Sequence, residues 1–366
     1  MIKILLHSEL NKDLEIKWLD IEKEDNLTPF QTLFFNKKYI EILKTNNQKI
    51  ALIEIVNNST TTDILPFCIK NNKFFKIVEW IGGINFDYMG PVSSNKSIFK
   101  QKNIDFKEVF NTIVKLLNNI DIIYLEKNIQ FYQNNFHNSF LNYFKLIRYE
   151  KSYKCMLDSE KNFIDTKLPI KIKNDINRQI KRLTNLGNLK FIIANDNASK
   201  KIYTNKMIEL KHIQYLQTGK SMFSDNKYIN FYHSLSNANE QSFKAHVSII
   251  MLDKLIISTH VGFLNKNTYF YIMPAYDNKY GRYSPGKIHL QYLIKWCEDN
   301  NIKYFDFTEG FADYKKKWSN IEDQLFLIQK AISYKGYIII FLLLIKNKIK
   351  KINIFRLIFS KLKKYV

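Results

Sequence analysis

The residues best placed to do chemistry begin with a turn, Gly281-Arg282-Tyr283-Ser284-Pro285-Gly286-Lys287. It lies between a strand-like aromatic run, Thr268 to Met273, and a helical pattern with Leu290, Leu293, Ile294 and Cys297 at i, i+3, i+4 and i+7. A chain with only 10 glycines and 6 prolines places two of the former and one of the latter beside an arginine, where a helix starts. The first turn of a helix exposes N–H groups without intrahelical partners, and its dipole favours anions. Glycine permits close approach to the backbone, and arginine adds charge-assisted hydrogen bonds. These seven residues therefore read as an anion cradle, or else as an ordinary tight turn. His260 lies on a strand where Ser258, His260 and Gly262 alternate with Ile257, Thr259, Val261 and Phe263. An imidazole titrating near neutrality suits a general base; a buried structural histidine gives the same pattern. Glu309, in Asp-Phe-Thr-Glu-Gly at the end of a strand, is the second candidate base. Asp306 alternates inward and reads as a partner for neighbouring backbone. Tyr276 and Asp277 stand at the mouth of the turn, with Tyr276 a candidate acid.

These side chains need a scaffold, and its elements are legible. Thr28-Pro29 caps a helix running to about Thr45. Strand-like runs follow at 49–56, 62–69 and 74–80, then a helix at 106–118, a strand at 122–126, a helix near 137–146 and a strand at 152–157. The second half opens with a basic helix, 170–186, ending at Gly187. After it come a strand at 189–194, helices near 198–216 and 226–238, and three strands at 242–252, 255–264 and 268–273 joined by hairpin turns. A helix at 286–300, a strand at 302–307, a short segment at 311–319 and a strand at 325–332 complete it. The order β-α-α-β-β-β-α-β-α-β, with a glycine-bearing turn between its fourth strand and third helix, resembles that of acyl-CoA N-acyltransferases.

Composition narrows the class. The chain has 366 residues, enough for two domains, and a globular balance of 46% apolar and 25% charged residues. Of its net charge of +22, ten units come from residues 324–366, which contain no Asp or Glu, leaving +12 for the rest. Cys68, Cys155 and Cys297 are isolated, so neither a disulfide framework nor a zinc site is expected. No Walker A, GxGxxG, HExxH or EF-hand pattern occurs, and no metal is expected. The first residues lack a signal-peptide pattern, and the longest apolar run, Tyr337 to Ile345, falls short of the roughly 20 residues of a spanning helix. A cytosolic protein is expected.

The blocks PAYDNKYGRYSPG (274–286) and FDFTEGFADYKKKW (305–318) resemble the bacterial GNAT family associated with cellulose and exopolysaccharide biosynthesis. TPFQTLFF (28–35), KIKNDINRQIKRLTNLG (171–187) and THVGFLNKNTYFYIMPAYD (259–277) match in order, so the resemblance covers about residues 28 to 330. The sequence departs from the family at Gly281, where alanine is usual. The resemblance implies an α/β (α+β) protein of two GNAT-like domains, 1–150 and 151–335, in an arrangement shared with Fem-type aminoacyltransferases. It implies acetyl-CoA or another acyl-CoA as co-substrate, its pyrophosphate in the cradle, but it supplies no acceptor; the activity expected is direct acyl transfer to an amine or hydroxyl of a sugar-containing envelope precursor. His260 matches the family's histidine; Tyr314 and Lys315 match its Tyr-Lys pair, with Lys315 placed to meet a CoA phosphate or an anionic acceptor. The basic helix recurs in the family, so Arg178 and Lys181 become candidates for an anionic acceptor or lipid phosphate, against a plain solvated face. The alternatives are a Fem-type enzyme using aminoacyl-tRNA, which the charge would suit, and a non-enzymatic membrane-associated assembly factor. Residues 336–366 read as a basic amphipathic helix with Ile345, Ile349, Ile352, Phe355, Phe359 and Leu362 at helical spacing. Such a helix lies on an anionic membrane surface, making the protein peripheral at the inner face of the plasma membrane, or packs on the second domain.

Overall fold

The strand runs assemble into one sheet. The computed structural model describes residues 2–24, 27–132, 136–157 and 162–351. The strands are β1 (Ile2–His7), β2 (Gln48–Asn57), β3 (Thr60–Asn71), β4 (Lys76–Trp80), β5 (Val92–Ser93), β6 (Ile122–Ile129), β7 (Phe131–Tyr132), β8 (Phe136–His137) and β9 (Leu146–Met156). The later ones are β10 (Leu189–Ile193), β11 (Lys244–Leu252), β12 (Leu255–Asn265), β13 (Thr268–Tyr276), β14 (Tyr304–Glu309) and β15 (Ile321–Ala331). Among the helices are α1 (Lys12–Glu22), α2 (Leu33–Lys38), α3 (Phe106–Leu117), α4 (Phe163–Thr166) and α5 (Ile170–Thr184). They continue with α6 (Asn197–Thr218), α7 (Asn226–Ser236), α8 (Pro285–Asp299), α9 (Asp313–Trp318) and α10 (Tyr334–Lys351).

Among the described residues the main sheet has 13 strands, in the order β1-β2-β3-β4-β6-β15-β9-β14-β13-β12-β11-β10, with β5 on β3. All neighbours run antiparallel except two pairs, β4 with β6 and β13 with β14. The fold is thus the mixed α/β class expected. The domain boundary at 150 falls inside β9, and β15, from the end of the second half, lies between β6 of the first half and β9. The two halves share their central strands.

Both faces of the second half are covered. Ile257, Tyr269, Tyr271 and Phe305 pack with Ile288, Leu290 and Leu293 of α8 on one face; Val247, Val261, Phe263, Phe270 and Met273 pack with Met207 and Leu210 of α6 on the other. Each such fully buried side chain is worth about 1.5–3 kcal/mol relative to exposure, so the strands that frame the site are rigidly held.

Several local expectations change. The helix expected from Thr28 to Thr45 is broken into a 3-10 turn at Pro29–Gln31, α2 recapped by Thr32, and a π turn at Tyr39–Leu43. The helix expected near 137–146 is a short 3-10 turn, Ser139–Tyr143, because Phe140 and Leu141 plunge into the core there and β9 starts at Leu146. β1 and α1 escaped the sequence reading.

Candidate active site

The site forms where two parallel strands part. β13 and β14 pair at only three positions, ending at Phe270 opposite Asp306. Beyond these, the two strands diverge and leave a cleft of about 290 Å³ lined by Tyr271, Met273, Pro274, Thr308, Glu309, Tyr314 and Lys315. Lys211 and Tyr215 of α6, Tyr232 of α7, and Asn85 and Asp87 of the first half close it.

Glu309 is turned into this cleft by backbone irregularity. The register of β14 against β9 shifts between Asp306 and Glu309, Thr308 has φ 60° and Gly310 has φ 99°. A bulge of this kind re-aims a side chain and is common beside active sites. The Glu309 carboxylate lies 2.7 Å from the ammonium of Lys127, a 5% exposed lysine of β6 that also donates to the Phe86 carbonyl. Burial raises the Glu309 carboxyl to about 7; Lys127 opposes that shift and Asp87 adds to it. Lys315 Nζ donates to the Glu309 carbonyl oxygen at 2.6 Å, and Lys211 Nζ donates to the Pro274 carbonyl at 2.9 Å. Burial, then repulsion from Lys315, lowers Lys211 to about 8. Burial also lowers Lys315 and pushes the Tyr314 phenol up to about 12.

Of the residues predicted from sequence, Glu309, Tyr314 and Lys315 meet in the cleft. His260 does not. It is 0% exposed, its Nδ1 lies 3.0 Å from the Tyr269 hydroxyl, and its ring stacks on Tyr271 at 4.3 Å. Burial beside His289 and His246 holds it well below its usual range, hence neutral. The alternation that put His260 on a polar face was real, but α8 covers that face. Gly262 is small for the same reason: a Cβ there would fall 2.6 Å from the His260 ring and from the Phe270 carbonyl. Asp306 is likewise structural, accepting from Tyr88 Oη and the Thr308 amide, each at 2.7 Å, and tying the first half to β14.

Tyr276 and Asp277 stand outside the cleft. Tyr276 is 38% exposed at the start of α8, where its ring would lie 3.3 Å from a Cβ at Gly286. Asp277 caps the 3-10 turn Asn278–Tyr283 by accepting from the Lys279 amide. The turn itself carries some cradle features. Ser284 is left-handed with φ 52°, no side chain caps α8, and Pro285 occupies its first turn. The Lys287 amide already donates to the Ser284 carbonyl at 3.0 Å. Arg282 and Arg182 lie over the Tyr283 ring at 4.7 and 5.2 Å. A Cβ at Gly281 would meet nothing within 4 Å, so packing does not require glycine there.

Beside this turn is a wide groove of about 910 Å³, lined by Lys171, Asp175 and Arg178 of α5, Lys287 of α8 and Lys317 of α9. Arg178 pairs with Asp175 at 2.7 Å, and Lys287 lies 3.6 Å from the same carboxylate. Lys181 is exposed and is not part of the groove lining. The groove lies on the α8 side of the sheet, whereas the cleft opens toward α6.

Sequence reasoning missed Lys127, Lys211, Asp87, Tyr215 and Tyr232. Lys127 left one faint signal, a charge inside the apolar strand run Ile122–Ile129. Among the described residues no group of His, Cys, Asp and Glu is arranged to hold a metal.

Residues 171–316 match the family of acetyltransferase (GNAT) domains. This part of the chain is similar to a GNAT acetyltransferase domain. The matched stretch begins in α5 and ends in α9, contributing most of the lining of both the groove and the cleft, and the chain is an acyltransferase. Over the whole chain, the fold is similar to that of FemX, at TM-score 0.58 and 11% identity, covering 88% of this chain and 96% of that one. A conserved protein from Bacteroides thetaiotaomicron aligns at TM-score 0.55 and 10% identity, covering 90% and 100%. The C-terminal domain of a putative lysylphosphatidylglycerol synthetase from Agrobacterium fabrum aligns at 0.54 and 7%, covering 89% and 94%. No curated protein matches the sequence. At these identities the structural likenesses describe the fold alone.

Proposed function

We propose that the protein transfers an acyl group, most simply acetyl, from acyl-CoA to a hydroxyl or amine of a sugar-containing cell-envelope or exopolysaccharide precursor, with Glu309 as the base. The observation that carries this reading is a carboxyl titrating near 7 in the cleft where β13 and β14 part. The acyl donor enters from the α8 side, with its phosphates against Gly286 and in the groove of Lys171, Lys287 and Lys317. The acceptor enters from the α6 side.

The attacking O–H or N–H gives its proton to Glu309 as the new bond to the thioester carbon forms. The tetrahedral intermediate then expels the thiolate as the C–S bond breaks. A base and an acid work best when their pKa values bracket the working pH. Lys211, near 8, is matched to reprotonate the thiolate, a role the sequence had given to Tyr276. Lys315 and Lys211 together favour an acceptor with an anionic group beside its nucleophile. The sugar-containing class of acceptor is taken from the polysaccharide setting of the family that residues 28–330 resemble, which itself defines no acceptor.

Calorimetry of acetyl-CoA binding, followed by a thiol-release assay with uncharged, amino and anionic sugars, tests the proposal. Binding with acceptor-dependent thiol release supports it. Failure to bind acetyl-CoA, together with binding of aminoacyl-tRNA, would transfer the chain to the Fem-type reading that its fold also accommodates.

A further inference from the structure

α10 begins where the sheet ends, and its first turn is fixed to the body. Ser333 Oγ bonds the Asp121 carboxylate, and Gly336 lies so close to the Asp121 carbonyl that a Cβ there would fall 2.1 Å from it. Only glycine fits that approach. From this anchor the helix turns one narrow face inward: Gly336 is buried and Ile339, Ile340 and Leu343 are half-buried. The opposite face is apolar too, and it is bare. Tyr334 is 81% exposed, Tyr337 66%, Ile338 47%, Phe341 62%, Leu342 56%, Leu344 51% and Ile345 37%. At about 100° per residue these seven side chains span an arc of about 160°. An exposed stripe of this size marks an interaction surface, because water solvates it poorly.

The apolar face of residues 334–345 points away from the body, whereas the stripe expected from Ile345 to Leu362 lies almost wholly beyond the described side chains. Charge selects the occupant. After Asp323 the chain contains no Asp or Glu, and Lys346, Lys348, Lys350, Lys351, Arg356, Lys361, Lys363 and Lys364 follow the stripe closely. A second copy would bring eight more cations and no side-chain carboxylate after Asp323 to meet them. An anionic bilayer offers hydrocarbon for the stripe and phosphates for the cations, each of the latter favourable until screened by salt. The helical spacing of Ile349, Ile352, Phe355 and Phe359 continues the same arc in the sequence; from Ile352 onward, with Leu362, these positions lie outside the described residues. No helix among the described residues is long and apolar enough to cross a membrane.

We infer that the exposed face of α10 seats the protein on a bilayer rich in anionic phospholipid, with the helix lying in the plane of the interface. The inference rests on the proposed function only in its consequence, that the acceptor is lipid-linked and met at that surface.

Flotation of the full-length protein with phosphatidylglycerol vesicles and with phosphatidylcholine vesicles, at low and high salt, tests it. Wild type is expected to float with phosphatidylglycerol at low salt, and at least tenfold less with phosphatidylcholine or at high salt. The double variant Phe341→Asp, Leu344→Asp is expected to lose at least tenfold of that binding, with circular dichroism and acetyl-CoA affinity in vesicle-free buffer unchanged. A second variant, Lys350→Glu with Lys351→Glu, should lose binding without removing any apolar side chain. Equal flotation of wild type and both variants, or none with either lipid, overturns the inference. So does a wild-type dimer in sedimentation that the double variant turns into monomers, since a second copy would then cover the stripe. Because acetyl-CoA binding is read separately, loss of the membrane role and loss of the acyltransferase reading are distinguishable.

Discussion

Replacing Glu309 with glutamine should cost activity and increase stability, and the two effects have one source. Burial in the cleft raises the carboxyl from its ordinary 4.5 to about 7. One pKa unit corresponds to about 1.4 kcal/mol, so holding Glu309 ionised costs the fold about 3 kcal/mol. Between pH 4.5 and 7 the native chain keeps a proton that the unfolded chain has released. Stability from this group therefore falls as pH rises through that window, and it stays lowered above pH 7. Glutamine resembles the protonated acid and has nothing to release. At pH 8 Glu309→Gln should be more stable than wild type by up to about 3 kcal/mol, shrinking toward zero near pH 4.5. Urea unfolding followed by circular dichroism at several pH values measures the gap directly, because all other titrating groups are common to both proteins. In the thiol-release assay the same variant should lose about 10²-fold or more at pH 8. A stability gap that ignores pH, or a variant that turns over normally, would refute the assignment of Glu309 as a base stored in a low-dielectric cleft.

Four further outcomes follow from the geometry. Turnover in wild type should rise through about pH 7 as Glu309 ionises and fall above about pH 8 as Lys211 loses its proton, giving a narrow bell in a pH–rate profile. Lys127→Met removes the cation that lowers Glu309, so the acid limb of that profile should move to higher pH; an unmoved limb would mean that Lys127 serves only packing. His260→Ala should lower stability by about 3 kcal/mol while kcat stays within a few-fold in the folded fraction; a 10²-fold loss of kcat with full stability would return the base role to His260. Gly286→Val should weaken acetyl-CoA binding at least tenfold, about 1.4 kcal/mol, in calorimetry, while Gly281→Ala, which meets open space, should leave affinity unchanged.

The sequence was informative where chemistry is local in the chain. The order of elements in the second half, the turn before α8 and the strand-end glutamate were legible because each depends on periodicity or on neighbouring residues. Burial of His260 was not, since the polar alternation of Ser258, His260 and Gly262 suits an exposed face as well as one sealed by α8. The histidine is kept there by partners from other elements: Tyr269 Oη, which also contacts His246 Nδ1 at 3.0 Å, and the Tyr271 ring. Nor could spacing place Lys211 opposite Lys315, because α6 and α9 meet only through the parting of β13 and β14. Tyr276 stands where the sequence put it, at the mouth of the turn, because β13 runs on past the Met273 end expected and carries the ring to the start of α8; its distance from the cleft was not legible.

The first half shows why two similar arrangements yield one cleft. Its parallel pair, β4 and β6, also meets at only two positions, Ile77 with Ile122 and Val78 with Ile123, before parting. There, however, the chain itself fills the gap. Met89 bridges to Asn128, its amide donates to the Lys127 carbonyl at 3.0 Å, and Trp80 Nε1 donates to Asn128 Oδ1 at 3.1 Å. The following helix, α3, is equally closed to an anion, because the Asp105 carboxylate accepts from the Lys107 and Glu108 amides. In the second half α8 has no side-chain cap and the strands part around open space. Filling the first gap also fixes the backbone of Lys127, held at φ 58°, a left-handed conformation that a lysine rarely adopts. From that position its ammonium reaches Glu309. The closed half therefore supplies the cation that keeps a buried glutamate ionisable near neutral pH, which the open half, whose nearby Lys315 bonds only the Glu309 backbone, does not provide.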